Sequence, residues 1–155
     1  MPTPTVGKKI PAFSVATTAA TKLTNKDLAG APYVLYFYPK DDTPGCTLEG
    51  KDFRDQSAKF KRLKVRILGV SRDTLSSHAR FQTKYELPFE LVSDPDETLC
   101  DLFDVMKDKN MYGKKVRGIE RSTFLVDAGG VLRQEWRKVK VDGHVAAVLA
   151  AAAET

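Results

Sequence analysis

Residues 33–38 read Tyr-Val-Leu-Tyr-Phe-Tyr, and the run stops at Pro39 before a short polar loop and the segment Thr43-Pro44-Gly45-Cys46. A near-continuous apolar run of this length suits a central strand buried on both faces. Proline has a fixed φ and no N–H, so Pro39 ends the strand. Thr43 suits a helix cap, and Pro44 suits the first helical residue. A buried strand that runs straight into a helix commits the chain to packed layers of sheet and helix. It also sets Cys46 in the first helical turn. There the unpaired backbone N–H groups and the positive end of the helix dipole favour thiolate, the nucleophilic form of cysteine. Cys46 is therefore the candidate reactive centre, and a buried inert thiol is the alternative. Tyr36 and Tyr38 read as core aromatics, with a place in a pocket wall as the second reading.

The rest of the pattern alternates. Residues 10–15 read as an edge strand or hairpin, and residues 24–30 as a helical turn capped by Thr24 and stopped by Gly30. The helix from Thr43 runs to about Arg62, with Phe53, Phe60 and Leu63 on one side. Strands follow at 65–70 and 89–92, with helices at 74–85 and 96–103. Residues 105–118 are polar and read as irregular. Strands at 121–126 and 131–139 meet at the turn Asp127-Ala128-Gly129-Gly130, and residues 143–153 form an alanine-rich last helix. This order predicts an α/β fold with a mostly parallel sheet covered on both faces and an antiparallel hairpin at its edge.

Composition narrows the function. The 155 residues predict one domain, 1–155, with an ordinary core. No apolar run approaches the roughly 20 residues of a membrane span, and residues 1–22 lack a signal layout, which predicts a cytoplasmic protein. Two cysteines are too few for a disulfide framework and fit thiol chemistry in a reducing compartment. The net charge of +5 comes from scattered lysines and arginines, which argues against a nucleic-acid face. Cys46, Cys100, His78 and His144 show no paired ligand spacing for zinc, and there is no glycine-rich phosphate loop.

Pro39-x-x-x-Thr43-x-x-Cys46 resembles the peroxidatic motif of the peroxiredoxins. The longer string from Tyr36 to Glu49 is similar to the subfamily called bacterioferritin comigratory protein, or PrxQ. Further matches lie at Gly69-Val70-Ser71-Arg72-Asp73, Ser93-Asp94, Lys109-Asn110-Met111-Tyr112-Gly113-Lys114, 118–124 and 136–140, so the resemblance spans nearly the whole chain. It implies a thioredoxin-like fold, with a mixed central sheet flanked by helices. It also implies a peroxidase that reduces hydrogen peroxide and small alkyl hydroperoxides through a sulfenic acid on Cys46, without metal, flavin or haem.

Site residues follow from the same resemblance. Thr43, whose hydroxyl could cap the helix or donate to sulfur or peroxide, would orient the peroxide. Pro39 would shape the pocket and shield the cysteine, while Pro44 and Gly45 would let backbone N–H groups approach the substrate. Arg121, by itself an ordinary cation at a strand end, would favour thiolate and hold the peroxide through its planar fork. Glu49, one turn after Cys46, reads as a surface carboxylate or as a partner of Arg121.

The chain departs from the subfamily where a second thiol is expected. Position 51 is lysine and position 82 is glutamine, so both usual resolving positions lack cysteine. Cys100 remains, on an apolar helix face with Leu99, Leu102 and Phe103, as an incidental thiol or as the resolving cysteine of a two-cysteine route. The absence favours a one-cysteine enzyme whose sulfenic acid is reduced by an external thiol such as thioredoxin, glutaredoxin or a small thiol, and the resemblance implies a monomer. Other classes fit less well. Cys46-Thr47-Leu48-Glu49 lacks the second cysteine of a disulfide oxidoreductase, and Asp52 stands where a cysteine-dependent phosphatase needs arginine. A basic binding protein would make Cys46 dispensable.

Overall fold

The computed structural model describes residues 3–155. Strands β1 (Ser14–Thr17), β2 (Leu23–Thr24), β3 (Tyr33–Phe37), β4 (Arg66–Ser71), β5 (Glu90–Ser93), β8 (Ser122–Val126) and β9 (Leu132–Trp136) form one sheet in the order β2-β1-β5-β4-β3-β8-β9. Strands β6 (Met106–Met111) and β7 (Lys114–Ile119) form a separate antiparallel ribbon. The helices are α1 (Asn25–Leu28), α2 (Pro44–Arg62), α3 (Leu75–Lys84), α4 (Thr98–Leu102) and α5 (His144–Ala153).

Strand β3 organises the molecule. All five of its residues are buried. It pairs in parallel with β4 and antiparallel with β8, so it is closed on both edges. Strand side chains alternate between faces, and β3 feeds two separate cores. Tyr33, Leu35 and Phe37 join Cys100, Phe103, Ile119 and Phe124 on one face. Val34 and Tyr36, with Tyr38 just beyond the strand, join Cys46, Phe53, Phe60, Val145 and Val148 on the other, beneath α2 and α5. Each large side chain fully buried this way contributes roughly 1.5–3 kcal/mol.

One close approach needs glycine. Gly69 lies opposite Tyr36 in the β3–β4 register. A Cβ at Gly69 would sit 2.8 Å from Leu91 and 2.9 Å from the Tyr36 ring. The absent side chain makes the space in which the Tyr36 ring stacks on Phe53, 4.5 Å between centroids.

The sequence-based elements stand with corrections. The sheet is mixed: only β3, β4 and β5 are parallel to one another, because β1 and β8 both join antiparallel. Residues 105–118, expected to be irregular, carry the β6–β7 ribbon; its polar side chains conceal it because the strands face solvent instead of the core. The strand expected at 10–15 is β1 at 14–17, one place in from the edge that β2 occupies. Leu63 does not share the buried side of Phe53 and Phe60: it caps α2 and is 37% exposed. Helix α4 is shorter than residues 96–103, and the Asp94 carboxylate accepts from the N–H groups of Leu99 and Cys100 at its start.

Gly69→Ala should lower stability by about 1–3 kcal/mol, the cost of overpacking a filled core. Chemical denaturation with unchanged m-value is the check, and a neutral result would contradict the packing described.

Candidate active site

The antiparallel register of β3 against β8 builds the site. Phe37 pairs with Ser122, so the start of β8 lies beside the end of β3, where the chain turns into α2. Arg121, just before β8, thereby reaches the first turn of a helix 75 residues away in sequence. Its backbone is held too: Glu120 N–H donates to Val105 O at 2.7 Å, and Val139 N–H to Arg121 O at 3.0 Å.

Cys46 is the third residue of α2 and is 2% exposed. The guanidinium of Arg121 bridges two groups on that helix. Nη1 donates to Glu49 Oε1 at 2.7 Å, and Nη2 lies 3.4 Å from Cys46 Sγ. Both charge centres, the guanidinium and the helix N-terminus, stabilise negative charge on the sulfur. Gly45 makes the approach feasible, since a Cβ there would come within 3.1 Å of Nη2.

Glu49 is not the surface carboxylate that its helix position alone would give. It is fully buried. Burial pushes its carboxyl up to about 7, with Arg121 pulling against that shift. The 2.7 Å contact serves both protonation states, because Oε1 accepts from Arg121 either way and a proton would sit on Oε2. Among the described residues Oε2 has no hydrogen-bond partner, and neither has the buried phenol of Tyr36. His144 Nε2 is 4.0 Å from Oε2 but is no cation there: burial, and then the Arg121 charge, lower its pKa to about 4. Its ring nitrogen instead shares a hydrogen bond with the Thr123 hydroxyl at 2.7 Å.

The AhpC/TSA family model matches residues 6–135. The chain belongs to that family. It is 57% identical to peroxiredoxin Bcp of Xanthomonas campestris, across 84% of this chain and 82% of that one. It is 47% identical to peroxiredoxin Bcp of Bacillus subtilis, across 93% and 92%. Among solved structures it is similar to Xanthomonas campestris peroxiredoxin Q, with a TM-score of 0.85, 54% identity and coverage of 90% and 89%. The fold is thus thioredoxin-like, and the chain is a peroxiredoxin of the Bcp/PrxQ kind, a thiol-dependent peroxidase.

The other sequence candidates of this peroxiredoxin divide. Thr43 is the cap residue of α2, but its hydroxyl does not accept there; it donates to Lys40 O at 2.8 Å. Pro39 follows the buried Tyr38, whose N–H donates to Val70 O, and so closes the strand end next to the site. Pro44 and Gly45 form the first turn of α2. Cys100 is buried in the opposite core from Cys46, across the sheet. Burial and then the neighbouring Asp94 carboxylate push its thiol far up, which suppresses thiolate. Gln82, at one missing resolving position, donates to Phe89 O. Lys51, at the other, lies over the Tyr85 ring.

Sequence reasoning missed Asp41, His78 and His144. The carboxylates of Asp41 and Asp73 converge with His78, but their oxygens already accept from protein donors. No local signal marked them: His78 stands among Ser76, Ser77, Ala79 and Arg80, in a stretch with no apolar run around it.

A pH dependence follows from Glu49. Between its unfolded value of 4.5 and about 7, the folded protein retains a proton that the unfolded chain has released. Its contribution to stability therefore declines as pH rises through that window. Glu49→Gln should flatten this part of the melting-temperature curve between pH 5 and 8. Parallel curves for wild type and variant would contradict the assignment.

Proposed function

We propose that this peroxiredoxin reduces hydrogen peroxide and small alkyl hydroperoxides through Cys46 by a one-cysteine route, in one domain. The observation that carries the reading is the Arg121 guanidinium held between Cys46 Sγ and Glu49. The Cys46 thiolate attacks one peroxide oxygen, and the O–O bond breaks. Sulfur is oxidised to sulfenic acid, and hydroxide or alkoxide leaves and takes a proton. Arg121 and the backbone N–H groups at the start of α2 meet the charge that develops on the peroxide oxygens. Thr43 orients the peroxide once its hydroxyl turns from Lys40 O, and Pro39 shields the sulfur from water. Alkyl peroxide reduction by the similar Xanthomonas campestris bacterioferritin comigratory protein supports the substrate class.

The second half needs a reductant. A first thiol condenses with the sulfenic acid, releasing water and leaving a mixed disulfide. A second thiol displaces Cys46 as thiol and departs as disulfide. The burial of Cys100 in the opposite core supports an external source, such as thioredoxin, glutaredoxin or a small thiol, over an internal one. No helix among the described residues is long and apolar enough to cross a membrane. A cytoplasmic monomer, with its ready supply of thiols, is the setting we propose. Cys46 is enclosed, while the outer side of the α2 start, at Thr43, Pro44, Thr47 and Leu48, borders an open depression of ≈ 300 Å³ also lined by Tyr85. The first turn must therefore loosen for a thiol to reach the sulfur. Raised hydrogen exchange at residues 43–50 in the oxidised protein is the expected sign.

Intact mass under non-reducing conditions after one equivalent of hydrogen peroxide tests the route. The expected result is a gain of one oxygen, absent in Cys46→Ser and retained in Cys100→Ser, which also keeps full turnover. Loss of two hydrogens would replace this route with a Cys46–Cys100 disulfide. No change in mass would overturn the peroxidase role of Cys46.

A further inference from the structure

The loop between β3 and α2 is fastened to α3 through two consecutive aspartates. Asp41 is buried, and its carboxylate collects three donors. Tyr38 O–H donates to Oδ1 at 2.7 Å, Ser77 O–H donates to Oδ2 at 2.8 Å, and His78 Nδ1 lies 2.8 Å from Oδ2 and 3.0 Å from Oδ1. The Asp41 N–H itself donates to Asp73 Oδ2 at 2.9 Å. Asp42 follows with φ 57, in the left-handed region, and its carboxylate accepts from Lys84 Nζ at 2.7 Å and from the Tyr85 hydroxyl at 2.6 Å. These contacts draw residues 41 and 42, five and four residues before Cys46, onto α3 and its C-cap residue Tyr85.

A proton count defines the central link. His78 Nε2 lies 2.8 Å from the Val92 carbonyl, and a carbonyl only accepts. Nε2 therefore carries hydrogen. The opposite nitrogen faces a carboxylate that already accepts from Tyr38 and Ser77. A lone pair on Nδ1 against that carboxylate would be repulsive, so a second proton lies between Nδ1 and Asp41. His78 has no exposed surface, and among the described residues the Asp73 carboxylate is the further charged group clustered with the pair. Through its two ring nitrogens His78 joins three elements: the Cys46 loop, α3 and, through Val92, β5.

We infer that Asp41 and His78 form a proton-sharing latch that holds the Cys46 loop closed on α3, so that they are positioning residues that divide the enzyme's time between a closed site for peroxide and an open one for the reducing thiol. The inference rests on the peroxidase reading above and adds a control to it. Neither residue touches the sulfur. The latch acts through the loop that carries Pro39 and Thr43 and leads into the first turn of α2. A closed loop keeps the sulfur, Arg121 and the helix N-terminus in register for attack, and small misplacements there are costly. The same closure obstructs an incoming thiol, so releasing the latch has opposite effects on the two half-reactions. A residue that merely supports the fold would slow both.

Two measurements test it in the full chain. The first is the ¹⁵N spectrum of the His78 ring in the reduced wild-type protein at neutral pH. Nε2 should carry a proton and Nδ1 should show a hydrogen-bonded proton shared with Asp41, whereas a bare Nε2, or no proton between Nδ1 and Asp41, would overturn the latch. The second separates the half-reactions in His78→Gln and Asp41→Asn. Single-turnover oxidation of Cys46 by hydrogen peroxide should slow about tenfold, while reduction of preformed sulfenic acid by dithiothreitol should become faster. If these variants do not fold, Ser77→Ala removes one donor from Asp41 and should shift the two rates in the same opposed directions by a smaller factor. Rates that fall together, or that do not move, would overturn the proposal. Failure of the wild-type protein to be oxidised at Cys46 would instead remove the peroxidase reading on which it rests.

Discussion

A carboxylate fully enclosed by protein requires a cation, and Glu49 finds it in Arg121 across 72 residues of sequence. Removing one partner of such a pair leaves an uncompensated buried charge and costs several kcal/mol, about 3–5. The pair therefore constrains more than its own two residues. It fixes the first turns of α2 against the start of β8, and it aims the second arm of the guanidinium at Cys46. The antiparallel β3–β8 register is the geometric means, because it brings the start of one strand beside the end of the other. Burial and ion pairing oppose each other at Glu49, and burial wins far enough to bring its titration close to neutrality. The cation beside the sulfur thus has a counter-charge that varies within the physiological range.

The two cysteines illustrate how position, not residue type, decides reactivity. Cys46 stands at a helix N-terminus beside a guanidinium. Cys100 stands under a carboxylate in an apolar core, on the far side of the central sheet. Bringing them together would require one core to open. The Cys46 loop, by contrast, is attached to α3 by hydrogen bonds and ion pairs, and these can exchange with water at far lower cost than a packed aromatic core. On the proposed reading, opening is thereby confined to the segment that the reducing thiol must reach.

Much of this was legible in the chain. The run 33–38, its proline stop and the Thr43-Pro44 start placed β3, α2 and Cys46 correctly, because a doubly buried strand and a capped helix leave strong local marks. Arg121 was legible only through the family motif, since nothing local distinguishes it from a surface arginine. Glu49 could be read either way, and its burial depends on β8, α5 and His144, all distant in sequence. The β6–β7 ribbon escaped because solvent-facing strands lack the alternation that a core imposes. The hydroxyl of Thr43 pointed elsewhere than a cap rule suggests, because Lys40 O competes for it. Asp41 and His78 were invisible because their partnership is tertiary: a loop residue and a helix residue 37 positions apart.

On the proposed reading, a bidentate cation, not positive charge alone, equips Cys46 for peroxide. The most direct measurement is the second-order rate of Cys46 oxidation by hydrogen peroxide in Arg121→Lys compared with wild type, at constant pH and with folding verified. Lysine keeps the charge but cannot span Cys46 and Glu49 at once. The structure predicts a loss on the order of a hundredfold, the scale of removing one fixed donor from a charge-stabilising site. A rate within a few-fold of wild type would show that the fork geometry is dispensable, and would contradict the assignment of Arg121.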